Sequence, residues 1–167
     1  MSKIIHDSYT EAVSIRANTV DQRLRSLLDY YLEIHPKTRL PSREDFDPFK
    51  VPVAMPHLTL VDVERNPYRF KYRVMGSVVS RNMEFDATGR YLDEFFENIQ
   101  DQFPHTGRVE AVEKALPIYR LGLSAVSFKN DFADLERVHL PLASDGETVD
   151  MVLSMFIYFA ENQFNPA

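Results

Sequence analysis

At 167 residues and 19.4 kDa the chain has the size of one domain. Its 44% hydrophobic content, with 12 Phe and 8 Tyr against 5 Gly, supplies a core and excludes general disorder. A net charge of −6 argues against nucleic acid or an anionic membrane as partner. The lack of cysteine excludes disulfides, thiolate metal sites, cysteine nucleophiles and cysteinyl cofactor adducts.

The opening Met1-Ser2-Lys3-Ile4-Ile5-His6-Asp7 lacks the apolar run of a signal peptide, and nothing approaches the ~20 apolar residues of a membrane span. The expected location is the cytoplasm. Val20, Leu24, Leu27, Leu28, Tyr31 and Ile34 then recur at helical spacing, with Thr19 and Gln22 at capping-box separation and Pro36 as the stop. An N-terminal extension over 1–36 built on this amphipathic helix is the expectation. Five of the ten prolines fall between 36 and 56, interleaved with Leu40, Phe46, Phe49, Val51 and Met55, which reads as an ordered connector.

From residue 57 the period becomes two. Leu58 to Val63 reads as a strand. After the Arg65-Asn66-Pro67 turn, Tyr68, Phe70, Tyr72 and Val74 alternate with Arg69, Lys71 and Arg73, so a hairpin is expected. Short helices follow over 77–85, 91–99 and 106–115, with a turn at Asp86-Ala87-Thr88-Gly89. Three strands close the chain, over about 118–126, 138–142 and 148–159, the last two joined by Ser144-Asp145-Gly146-Glu147.

Helix, two strands, short helices and a three-stranded meander, together with a set of local words, carry a resemblance. The words are Leu40-Pro41, Arg43, Asp45-Phe46-Asp47-Pro48, Val51-Pro52, Met55-Pro56, Asp62-Val63, Phe70-Lys71-Tyr72-Arg73, Gly76, Asp86-Ala87-Thr88-Gly89, Leu140-Pro141-Leu142, Asp145-Gly146 and Val149-Asp150-Met151. Over residues 22–157 the chain resembles the single-domain PAS-type sensor family common in alphaproteobacteria. It departs from that pattern at Ser77, where the glycine is usually followed by threonine. The resemblance implies an α+β fold over 37–160, followed by a tail at 161–167. A five-stranded antiparallel sheet would carry short helices on one face. It also implies a role in sensing or partner docking, with any ligand held between sheet and middle helices; it names no ligand.

A two-residue turn at Asp145-Gly146 would place Val138, Leu140, Leu142, Val149, Met151 and Leu153 on one face, with Tyr119, Leu121, Leu123, Ala125, Phe70, Tyr72 and Val74. Arg137, His139, Pro141, Asp150, Val152 and Ser154 take the other. The apolar face is expected to line the pocket side, as core or as a site for an apolar ligand. Its candidate residues are Tyr72, Tyr119, Leu121, Leu140, Met151 and Leu153. His139 and Asp150, diagonal across the hairpin, are the one general-base candidate, and no nucleophile accompanies them. His105 is the sole haem candidate and a weak one; no histidine pair has metal-ligand spacing, and no glycine cradle for a nucleotide is present.

In related folds the N-terminal helix lies on the outer side of the sheet or pairs with its copy. The stripe Val20, Leu24, Leu27, Leu28 and Tyr31 is expected to build a homodimer or partner interface. The functional expectation is a stand-alone regulatory module, not an enzyme, that binds a signalling protein such as a sensor kinase. A sensor of an apolar ligand is the alternative, and a small enzyme using His139 and Asp150 the third reading.

Overall fold

The computed structural model describes residues 4–122 and 132–160. Two helices lead the chain, α1 (Asp7–Asn18) and α2 (Gln22–Ile34). A hairpin of β1 (Leu58–Glu64) and β2 (Arg69–Met75) follows. Next come α3 (Ser77–Met83), two single 3-10 turns at Leu92–Glu94 and Ile99–Asp101, and α4 (Phe103–Lys114). The meander is β3 (Ile118–Gly122), β4 (Phe132–Leu142) and β5 (Met151–Ala160). The five strands form one antiparallel sheet in the order β2-β1-β5-β4-β3. The fold class expected from the sequence is the one observed. The expected strand beyond Gly122, with Leu123 and Ala125, and the tail at 161–167 lie outside the described residues.

The helix expected to begin at Thr19 is two helices. Thr19 is buried and bonds back to the Ile15 carbonyl at 2.8 Å, closing α1. The cap of α2 is Asp21, whose carboxylate accepts from the Arg23 N–H at 2.8 Å. A second carboxylate fixes this junction. Glu136 of β4, fully buried, accepts from the Val20 and Asp21 N–H groups at 2.8 and 2.9 Å and from the Tyr119 hydroxyl at 2.5 Å. Four N–H groups at a helix start have no partner within the helix, and here a strand supplies one.

The stripe of α2 faces inward. Leu24, Leu27, Leu28 and Tyr31 are each 0% exposed and pack against Leu58, Leu60, Val138, Leu140, Leu142, Leu153 and Met155. The Tyr31 hydroxyl donates to the Pro141 carbonyl at 2.9 Å. The expected interface through these residues is therefore corrected: this chain's own sheet covers them, and Val20 lies outside the helix, half exposed. A single amphipathic helix satisfies its stripe in either way, and only the sheet's second apolar face decides between them.

The proline-rich connector is ordered by pairing with the last turn. Leu40 N–H donates to the Gly146 carbonyl and Ala143 N–H to the Pro41 carbonyl, both at 2.9 Å. The link between β4 and β5 is longer than two residues: Asp145 accepts from the Glu147 and Thr148 N–H groups, and Gly146 takes φ +82°. Leu140 consequently pairs with Leu153 and His139 with Ser154. The register moves by two residues from the expected one. An even shift keeps each side chain on its face, so the sorting of β4 and β5 survives.

Candidate functional site in the polar layer beneath α4

What covers each face is the reverse of the expectation. The apolar face, with Leu140, Leu153 and Met155, is closed by α1 and α2. The face that carries Arg137, His139 and Ser154 lies under α4 and the middle turns. A bulge in the first hairpin contributes to the error. Leu60 pairs with Val74 but Val61 with Tyr72, leaving Arg73 as the extra residue. Strict alternation fails there, so Phe70 and Tyr72 join Val61 and Val152 on the α4 side while Val74 is exposed on the other. The six ligand-pocket candidates are split accordingly. Tyr72 lies beneath α4; Tyr119, Leu121, Leu140, Met151 and Leu153 belong to the opposite face.

Helix α4 begins earlier than expected, because Pro104 in its first turn needs no N–H partner and fits helical φ. Its buried face is Phe103, His105, Gly107, Arg108, Ala111 and Val112. Gly107 allows the close approach: a Cβ there would stand 2.8 Å from the Phe103 ring and 2.9 Å from His139 Cδ2. The helix therefore lies directly on β4.

Beneath it, Arg108 is fully buried. Its guanidinium donates to the Pro104 carbonyl at 2.7 Å and to the Thr59 hydroxyl at 3.2 Å, and lies 5.8 and 5.7 Å from the Tyr72 and Phe156 ring centres. Its Nε has no partner, and among the described residues no carboxylate contacts it. Burial lowers its pKa, and only the phenols of Tyr72 and Tyr158 oppose that shift. His139, also 0% exposed, shares a 2.6 Å hydrogen bond through Nδ1 with Ser154 Oγ, and its Nε2 has no partner. Burial, then the neighbouring Arg108 and Arg137, hold its pKa well below the usual imidazole range, so the ring is neutral.

The layer continues toward β3. The Arg120 and Arg137 guanidiniums lie 4.0 and 4.6 Å from the centre of the Phe103 ring. Burial brings Arg137 down to about 10. The arrangement offers hydrogen-bond donors and positive charge between aromatic rings.

His139 and Asp150 do not meet. With the longer turn Asp150 leaves the strand and accepts from the Ser144 N–H and hydroxyl, while Ser154 takes the imidazole. The general-base pair of the third reading is thus corrected to a turn cap and a His–Ser pair. His105 lies edge-on to Phe70, ring centres 5.3 Å apart. Among the described residues no group of three or more His, Asp or Glu could hold a metal ion, and no helix is long and apolar enough to cross a membrane. Sequence reasoning named Arg137, His139 and Ser154 as a surface and missed Arg108 altogether. The available signal was a glycine and an arginine adjacent on the inward side of a helix, opposite a strand face whose polar residues include a histidine.

A family model described as PAS domain matches residues 20–157. The chain belongs to the PAS domain family. Chains of solved structures resemble this PAS domain at 13% identity. One is the Rhodobacter sphaeroides LOV protein, with TM-score 0.45 over 86% of this chain and 70% of that one. Another is the light-state LOV domain of the blue-light photoreceptor Aureochrome1, with TM-score 0.42 over 65% and 85%. An RNA-binding light-oxygen-voltage receptor has TM-score 0.43 over 89% and 48%. Light reception and RNA binding are properties of those proteins. No curated protein matches the sequence. As a PAS domain the chain is a signalling sensor module.

Proposed function

We propose that this PAS domain is a regulatory module whose input is received in the polar layer between the sheet and α4 and whose output is contact with another signalling protein. One observation supports the reading above the rest. Thr59, Arg108, Arg137, His139 and Ser154 are each 2% exposed or less on the sheet face where this family's ligands lie, although apolar side chains there would cost far less to bury. Polar groups kept in such a place have a task other than stability. Native mass spectrometry of the gently purified full chain tests it. A bound small molecule that is lost on unfolding is expected; a bare mass, together with a melting temperature indifferent to small-molecule additions, counts against it.

A second reading, a docking module with no ligand, is favoured by one surface. A groove between α2 and the connector is lined by Asp29, Tyr30, Glu33, Lys50 and Val53. Beside it Phe49 is 79% and Val53 55% exposed, more apolar surface than a lone loop needs to show. Under this reading Phe49→Asp abolishes capture of the partner while the bound mass stays bare. With α2 closed against its own sheet, any homodimer of this chain uses other surfaces, such as these.

A further inference from the structure

We propose that the polar layer beneath α4 is a binding site for a small organic carboxylate, with Arg108 as the charge that recognises it; this rests on the reading of that layer as the sensing element. A guanidinium has five N–H donors and is never deprotonated in a folded protein, so burying it without an anion leaves both a charge and a donor uncompensated. Among the described residues Arg108 has no such anion. Its Nε is unpartnered, and among the described residues its partners, the Pro104 carbonyl, the Thr59 hydroxyl and the nearby Tyr72 phenol, are all neutral. Two strands across from Thr59, His139 Nε2 is another buried polar atom without a partner under the same helix, beside Gly107. The Phe156 ring flanks both groups, 5.7 Å from the guanidinium and 6.0 Å from the imidazole.

A carboxylate fits this set in kind. Its two oxygens match the Nε and Nη edge of a guanidinium as a fork, the Thr59 hydroxyl is a further donor at the same layer, and with Ser154 donating to Nδ1 of the neutral His139 ring the Nε2–H is another. The rings of Tyr72, Phe103 and Phe156 favour an apolar body on the acid over a second charge. Because α4 rests so closely on β4 at Gly107, an acid entering between Arg108 and His139 lifts the helix from the sheet. Binding is thereby coupled to a displacement that a partner protein can read.

The test uses the full chain in a chloride buffer free of other acids, with butyrate and phenylacetate as probes and butyramide and phenylacetamide as their uncharged counterparts. At ten times its dissociation constant an acid is expected to raise the melting temperature by about 2–6 °C, and its amide by less than about 0.5 °C. Arg108→Met is expected to melt at or above the temperature of the unliganded parent and to lose the response to acid. Arg108→Lys, which keeps the charge but not the fork, is expected to bind about tenfold more weakly.

Equal shifts from acid and amide overturn the carboxylate assignment but leave a ligand-sensing layer standing. No shift from any of the four overturns both. A larger shift from inorganic phosphate than from either acid overturns the assignment of class. An Arg108→Met chain that melts well below the parent also overturns it, because the guanidinium would then be compensated within the protein.

Discussion

The two faces of one sheet are built on opposite rules. Toward α2 the contacts are aliphatic, with Leu27, Leu28, Leu140 and Leu153 all within 2% of full burial, and the buried carboxylate Glu136 has three donors. Toward α4, among the described residues, a guanidinium has no anion beside it and an imidazole has one of its two nitrogens unpaired. Both faces are equally withdrawn from water. Exclusion of water therefore does not distinguish a core from a site; the state of the polar atoms left inside does.

The contrast can be broken most sharply on the aliphatic side. Leu27→Ala removes three buried carbon atoms at a place that cannot refill, and is expected to cost about 4 kcal/mol, read as a fall in the urea midpoint with unchanged slope. A loss under about 1 kcal/mol would show that α2 is peripheral and that its stripe is free to bind elsewhere.

Acid should come next in size. His35 at the end of α2 is buried, its Nδ1 accepting from the Lys37 N–H at 2.9 Å and its Nε2 sharing a 2.8 Å bond with Ser8 Oγ. Burial, with some contribution from His6, lowers it to about 4. A histidine depressed in the folded state contributes stability above its unfolded pKa of ~6.5, and that contribution is lost as the pH falls through the folded value. His139 beneath α4 has the same sign. Denaturant titrations at several pH values are expected to show a decline between about pH 6.5 and 4, on the order of 2 kcal/mol of it from His35. His35→Asn should flatten that part of the curve, and a pH-independent midpoint in the parent would refute the assignment.

Glu136→Gln tests whether the buried carboxylate on the aliphatic side matters as a charge. The substitution leaves only one acceptor oxygen for the donors of Val20, Asp21 and Tyr119, and is expected to cost about 2 kcal/mol, with hydrogen exchange accelerated in the first turn of α2. Retention of both stability and protection would assign the anchoring to Asp21 instead. Ser154→Ala, on the α4 side, should be smallest at about 1 kcal/mol, since it removes the one partner of an already half-satisfied imidazole. A penalty above that of Leu27→Ala would reverse the contrast between the faces.

Strand and helix identity was legible because period and punctuation are local. The α4 boundary moved by three residues only because proline is tolerated in a first helical turn. The division of β4 into an aliphatic and a decorated side was also legible, since it depends on parity, and the longer turn at Ala143 to Asp150 changed the register by an even number. The side toward which each faced was not. Alternation says which residues travel together and is silent about what lies above them. With the faces exchanged, the sequence leaves the α2 stripe without a partner in its own chain and puts Arg137, His139 and Ser154 at the surface. Arg108 was invisible for a different reason. Arginine in a helix is ordinarily solvated, and its adjacency to Gly107 becomes a signal only once the helix is known to lie on the polar face of β4.

Glu136 and Arg137 are consecutive on β4, so their side chains leave the strand in opposite directions, one to the start of α2 and the other to the layer under α4. His139, two residues further on, repeats the second direction. The entry to one helix and the seat of the other are thus fastened to the two sides of a single short stretch of backbone.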